Sequence, residues 1–426
     1  MNLPLCTLFL FVSTSILCRN VKVNDGPLLL TPLIEKGKYE KARSLSKVDP
    51  NLFAGLQSHS AFITVNKTLG SHLFFWFFPV EDKPLESTPW IIWLQGGPGV
   101  SSLFGVFLEI GPLQFINGTA LFHVSTNLYL IFLVGANLLN FIQQFLTVFP
   151  ELRKAPLFIA GESYGGKFVP AFGHYIHINR NSSHPINFKG VAIGNGLIDP
   201  PTMLQYSKFG VQVGILDLEE AAKIKAIEDA AKNAYKEGDM DTYRQEWTHT
   251  LLSYSSYLLS SYNYVFDEEP SKEYVQFLNN IEIQRALHTG RTVFTAFNWM
   301  VFIALLNDFP LSVKPWLEEL LDNDYGVLSY GSQLDIIVPY ASLESCYHTL
   351  QWWGAEGYIK APRWRYRGTG KRPEMYIKQY GNFMDVMIRG AGHMTSYDRP
   401  QAAKDLIKLY IDEFQDYQGD KNNNKG

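Results

Sequence analysis

The chain alternates short apolar runs with polar, glycine-marked turns through most of its length. Ala61-Phe62-Ile63-Thr64-Val65 and Leu73-Phe74-Phe75-Trp76-Phe77-Phe78, separated by a polar turn, predict two antiparallel strands. Trp90-Ile91-Ile92-Trp93-Leu94 is continuously apolar, as a strand covered on both faces requires, and it runs into the dense turn Gln95-Gly96-Gly97-Pro98-Gly99. Further strands are predicted at Leu157–Ala160, over Phe188–Gly196 leading into a turn, and at Gly326–Gly331 and Phe383–Ile388, with helical spacing between them. Strands alternating with helices predict an α/β fold with a mostly parallel central sheet and flanking helices. From Pro200 to about Asn298 the composition shifts. Asp217 stands as an N-cap before Leu218-Glu219-Glu220-Ala221-Ala222, and the Ala-, Lys- and Glu-rich stretch that follows predicts an inserted helical cap over about 201–298. The polar tail after Gly419 carries no pattern for a packed element.

Two apolar stretches need a separate reading. Residues 1–18 form an apolar run with small residues near its end, followed by Arg19, which predicts a signal peptide over 1–19 and a mature domain over 20–426. No Lys or Arg precedes that run, so its positive flank is weak. Between His123 and Pro150 there is no Asp, Glu, Lys or Arg, and Leu128–Val134 is strongly apolar. Asn127, Asn137, Asn140, Gln143 and Gln144 interrupt the stretch, and each amide would need a partner in lipid. A buried strand followed by a helix is therefore expected, without a stable membrane span.

Composition narrows the compartment and the partners. A hydrophobic share of 46% suits a large core, and a net charge of −4 offers no basic field for nucleic acid or an anionic membrane. Asn66-Lys67-Thr68, Asn117-Gly118-Thr119 and Asn181-Ser182-Ser183 are glycosylation sequons. With the leader they predict the secretory pathway, the product being secreted or lysosomal/vacuolar. Cys6 and Cys18 belong to the leader, so Cys346 remains without an intramolecular disulfide partner, as either a buried apolar residue or a free thiol. His174 and His177 lack neighbouring ligands at metal spacing; neither a metal nor a cofactor is expected.

The sharpest chemical signal is Gly161-Glu162-Ser163-Tyr164-Gly165, a Gly-x-Ser-x-Gly segment placed after an apolar strand and before helical sequence. That context predicts a nucleophile elbow, whose strained turn exposes a serine hydroxyl above the sheet. Such a serine needs an imidazole base and an orienting carboxylate, in the order Ser, Asp or Glu, His. Asp335 and His393 each follow a predicted core strand by a few residues, whereas Asp324, Asp385, His288 and His348 lie in helical or mid-strand contexts. Ser163, Asp335 and His393 are thus the candidate catalytic residues. Backbone donors for an oxyanion are expected from Tyr164 and Gly97.

Trp93–Ser102, Gly161–Lys167, Ile193-Gly194-Asn195-Gly196 and Gly390-Ala391-Gly392-His393 together resemble the signature segments of the serine carboxypeptidases. Gln95, Leu334–Val338 and Val313-Lys314-Pro315-Trp316 are most like the vitellogenic carboxypeptidase-like branch, and the similarity runs from about Tyr39 to Tyr410. The resemblance implies an α/β-hydrolase fold and removal of residues from the C-termini of peptides and proteins through an acyl-enzyme. It also implies that Gln95, Gly96 and Glu162 hold the substrate's terminal carboxylate, and that a homodimer forms. A carboxyl group meeting a carboxylate in a dry site should keep its proton, so Glu162 is expected to have a raised pKa and activity to favour acidic pH. A purely structural, locally paired Glu162 is the other reading.

The chain departs from its relatives in two places. After Asn127-Leu128-Tyr129 they carry an acidic residue and a Gly-rich loop, where here Ile131–Asn137 runs almost directly into Phe141–Phe145. The cap disulfides are also absent, at an expected cost of about 2–5 kcal/mol for each missing bridge. Lower stability and an ill-defined cap are therefore expected, and a catalytically impaired binding or storage protein is the alternative function.

Overall fold

The computed structural model describes residues 6–13, 26–80, 82–109, 111–116, 119–121, 131–257, 262–265 and 270–417. Among these, a ten-stranded sheet runs in the order Arg363–Tyr366, Met375–Tyr380, Phe383–Ile388, Gly326–Ser332, Phe188–Gly194, Leu157–Glu162, Trp90–Leu94, Cys6–Ser13, Ser71–Phe78, His59–Asn66. Neighbours from Phe383–Ile388 through Cys6–Ser13 are parallel, and the pairings at both ends are antiparallel. Trp90–Leu94 and Leu157–Glu162 are buried along their whole length, which is why their sequences are apolar without alternation. The carboxyl ends of six adjacent parallel strands therefore share one rim, where ligand sites of open α/β sheets are built.

Helix Gly165–Ile178 packs on the strands Leu157–Glu162 and Phe188–Gly194. Between Phe188–Gly194 and Gly326–Ser332 the chain makes two longer helices, Leu218–Glu237 and Met240–Ser255, which pack on each other. Asp217 accepts from the Glu220 amide at 2.8 Å while the Glu220 side chain accepts from the Asp217 amide at 2.9 Å. That reciprocal pair satisfies two donors at the helix start. The expectation of an ill-defined cap does not hold for these helices: Ile224, Ala231, Tyr243, Trp247 and Tyr254 are all buried. Cys346 is buried, and burial pushes its thiol pKa up, so it sits in the core as an unreactive thiol.

The stretch read as a strand followed by a helix differs from that expectation. Residues 131–134 open the helix Ile131–Val148, and 122–130 lie outside the described residues. Leu138, Phe141, Ile142, Phe145 and Val148 recur at helical spacing and are buried, so the period along this stretch is that of a helix. The amides that argued against a lipid setting bind the helix to the sheet edge. Asn140 donates to the Val65 carbonyl at 2.8 Å, and Gln144 to that of Thr64 at 2.9 Å. No described helix is long and apolar enough to cross a membrane.

Cys6–Ser13, within the expected leader, pairs parallel to Trp90–Leu94 and antiparallel to Ser71–Phe78. Apolar runs of that length suit a buried strand as well as a leader, and the position in the sheet is an interior one. Removal of residues 1–19 would take those backbone partners from both neighbouring strands.

Phe145 stands at the centre of this half of the core, with ring centroids 5.3 Å from Phe75, 5.5 Å from Phe77 and 4.7 Å from Phe149. Phe145→Ala should destabilise the fold by about 3–5 kcal/mol. A denaturant midpoint equal to that of the unaltered chain would show that the shortened segment is not packed in this way.

Candidate active site

Five loops meet at the carboxyl rim of the sheet. Leu157–Glu162 ends directly in Ser163, whose φ of +61° is the left-handed conformation of a sharp elbow. The turn is held on both sides: the Ser163 amide donates to the Gly194 carbonyl at 2.9 Å, and the Leu197 amide to the Ser163 carbonyl at 3.0 Å. The flanking glycines have the reason expected from the sequence. A Cβ on Gly161 would lie 2.3 Å from the Leu94 carbonyl oxygen, and one on Gly165 would lie 2.5 Å from the same atom.

The structure brings together the three residues nominated from sequence. His393 Nε2 is 2.8 Å from Ser163 Oγ, and His393 Nδ1 is 2.8 Å from Asp335 Oδ2. Asp335 is buried, and its other oxygen accepts from the amides of Ile337 at 2.8 Å and Val338 at 3.1 Å. Those bonds fix the carboxylate against the imidazole. The Asp335 and His393 loops run together, with the Gln333 amide on the Ile388 carbonyl and the Leu334 amide on that of Ala391.

Asn195, noticed in the sequence only as part of a motif, secures the histidine loop. Its φ of 45° follows the strand Phe188–Gly194, and its side-chain amide donates to the His393 carbonyl at 2.6 Å and to Thr395 Oγ1 at 3.0 Å. Its oxygen accepts from the Ser332 amide at 2.7 Å. One buried amide thus joins three of the five loops. On the far side, Tyr262 of the inserted segment accepts the His393 amide on its carbonyl at 2.9 Å.

Beside the serine lies a buried group of carboxyls. Gln95 is oriented by Trp93, whose indole donates to its Oε1 at 2.9 Å. Its amide then donates to Glu162 at 3.2 Å and to Glu109 at 3.0 Å. Glu109 was missed by sequence reasoning. The available signal was an isolated acid closing the apolar helix Leu103–Leu108, which has no solvated face to account for it. Burial raises the Glu162 carboxyl well above its ordinary range, with the Glu109 charge adding to the effect. Burial likewise pushes Glu109 up to about 7. Oε2 of each is buried without a hydrogen-bond partner. Two carboxyls this close share protonation, and each holds an unused polar atom at the site.

The glycine loop faces the elbow at van der Waals limits. A Cβ on Gly96 would stand 2.5 Å from Ser163 Cβ and 2.7 Å from the Tyr164 amide nitrogen. Gly97 follows with a φ of +108° that favours glycine. The expected sequons fall differently: Asn181 is exposed, Asn66 is partly exposed at a strand end, and Asn117 lies outside the described residues. Neither His174 nor His177 joins a metal cluster; His174 pairs with Glu319, and His177 lies 3.2 Å from the Tyr325 hydroxyl. No group of three or more His, Cys, Asp or Glu side chains that could hold a metal ion occurs among the described residues.

Comparison with known proteins agrees with this geometry. A family model described as serine carboxypeptidase matches residues 50–129 and 133–413. The chain is 36% identical to the probable serine carboxypeptidase CPVL of Homo sapiens, over 90% of this chain and 89% of that one. It is 35% identical to the vitellogenic carboxypeptidase of Aedes aegypti, with the same shares covered. The crystal structure of Kex1(delta)p, a prohormone-processing carboxypeptidase from Saccharomyces cerevisiae, superposes with a TM-score of 0.77 at 20% identity, covering 87% of this chain and 96% of that one. That likeness shows an α/β-hydrolase fold. The alternative of an impaired protein finds no support in these likenesses or in the contacts of Ser163, His393 and Asp335. The chain belongs to the serine carboxypeptidase family.

Proposed function

We propose that the protein is a serine-type carboxypeptidase that releases residues from peptide C-termini through an acyl-enzyme. The observation that carries this reading is the continuous contact Ser163–His393–Asp335 beside two buried carboxyls that hold unpartnered oxygens. Ser163 Oγ attacks the last peptide carbonyl while its proton passes to His393 Nε2. Asp335 keeps the imidazole in the productive orientation and balances the imidazolium. The amides of Tyr164 and Gly97 receive the oxyanion. Collapse breaks the C–N bond, His393 protonates the departing amine, and water then cleaves the ester by the same route.

Selection of a free C-terminus falls to Gln95, Glu162, Glu109 and the Gly96 backbone. A protonated carboxyl donates to the substrate carboxylate, whereas an ionised one repels it. Because burial raises both acids, both are neutral at acidic pH, and Glu109 loses its proton as pH climbs through about 7. The same linkage acts on the fold. Stability from Glu109 is complete below its unfolded value of 4.5 and is lost as pH rises through about 7.

The leader with the sequons at Asn66, Asn117 and Asn181 supports passage through the secretory pathway to the exterior or to a lysosomal or vacuolar compartment. On export from a eukaryotic cell, the chain should gain mass that peptide N-glycosidase removes. Product of unchanged mass, or retention in the cytosol, contradicts this route.

Catalysis is tested with a blocked dipeptide and its C-terminal amide between pH 4 and 8. Ser163→Ala should lower kcat by about a million-fold. For the free acid, KM should rise as pH passes about 7, and the amide should be a poor substrate throughout. Equal turnover of acid and amide would remove the carboxyl pair from substrate selection, and full activity in Ser163→Ala would remove the triad.

A further inference from the structure

A second cluster of buried polar groups lies behind the elbow and is not used by the chemistry above. Lys167 sits in the first turn of the helix Gly165–Ile178, and its side chain is completely buried. Its ammonium donates to the Asp308 carbonyl at 2.8 Å and to the Leu311 carbonyl, and lies 4.0 Å from the Asp308 carboxylate. The Tyr164 hydroxyl donates to that same carboxylate. Burial lowers Lys167 to about 7, against the opposing pull of Asp308 and Asp199. A buried lysine is costly and needs close partners to be retained.

Asp308 ends a short turn, Leu306–Asp308, in a stretch that also reaches the glycine loop. The Ser101 amide donates to the Ala296 carbonyl at 2.9 Å, the Asn298 amide donates to that of Gly99 at 2.6 Å, and Val100 bridges Phe297. A Cβ on Gly99 would stand 2.6 Å from the Asn298 carbonyl oxygen, so the two backbones are in close contact. Tilted and edge-on ring contacts join the ends of this stretch. Tyr164 lies 4.9 Å from Phe309, Phe309 5.5 Å from Phe302, and Phe302 5.6 Å from Phe297. One segment, 296–311, therefore touches both loops assigned to the oxyanion, with the polar cluster at one end and the backbone bridge at the other.

We propose that Lys167 and Asp308 are positioning residues that, through the Tyr164 hydroxyl and the 296–311 segment, hold the Tyr164 and Gly97 amides at the spacing an oxyanion requires. This rests on the serine carboxypeptidase reading and extends it to residues that never touch the substrate. The polar cluster fixes the Tyr164 side of the hole, and the ring ladder transmits that constraint to the Gly97 side. Loss of either partner leaves the amides in place as donors but misaligned, which affects the transition state more than the bound substrate.

The test compares Tyr164→Phe, Asp308→Ala, Asp308→Asn and Lys167→Met with the unaltered full chain. Asp308→Asn keeps an acceptor for the Tyr164 hydroxyl. Tyr164→Phe, Asp308→Ala and Lys167→Met should lower kcat about 10- to 100-fold, less than the about 10²–10³ that outright loss of a donor costs. Their KM should stay within about two-fold, and the rate of fluorophosphonate labelling should fall with kcat. Asp308→Asn should restore most of the kcat lost in Asp308→Ala. Unchanged kcat and labelling in all four variants overturns the proposal. So does an Asp308→Asn variant as slow as Asp308→Ala, or a loss confined to KM and thermal stability. Ser163→Ala serves as the separate control: if it remains active, the catalytic reading itself fails, whatever these variants do.

Discussion

The Leu94 carbonyl is the point on which the site is built. Gly161 at the end of one strand and Gly165 at the start of the following helix both press against it, leaving no room for a side chain at either position. That approach forces Ser163 into its left-handed turn and places the elbow beside the loop that begins at Gln95. The geometry of the hydroxyl, of the amide after it and of the neighbouring carboxyls follows from how closely two strand ends can come together.

On that scaffold the protein sets two electrostatic problems side by side. Asp335 is kept as a hydrogen-bond acceptor by two backbone amides and the imidazole. Glu162 and Glu109 share the side-chain amide of Gln95, and burial favours their neutral forms. The lysine behind the elbow follows the same logic with opposite sign, its charge stabilised by carbonyls and one carboxylate.

Much of this was legible in the residues. The five parallel strands that carry site loops are apolar runs ending at glycine or polar turns, and the elbow, Asp335 and His393 follow those ends closely. Other parts left a weaker trace. Arg363–Tyr366 is a short, largely exposed edge strand that alternates Arg with Trp and Tyr, and Met375–Tyr380 carries Lys378 within it, so neither forms a continuous apolar run. Glu109 acquires meaning only when folding sets it against Glu162. Lys167 and Asp308 are 141 positions apart, and no local spacing announces their contact. Cys6–Ser13 has the composition of a leader and the pairing of a sheet strand, and composition alone does not separate the two.

The most direct measurement is the site of covalent capture by a fluorophosphonate, mapped by mass spectrometry on the folded, exported protein and on its His393→Ala variant. The expected result is a single adduct on Ser163 that forms readily in the unaltered protein and fails to form when the imidazole is removed. An adduct on another residue, or equal labelling of Ser163 without His393, would contradict the proton transfer from which every other role described here descends.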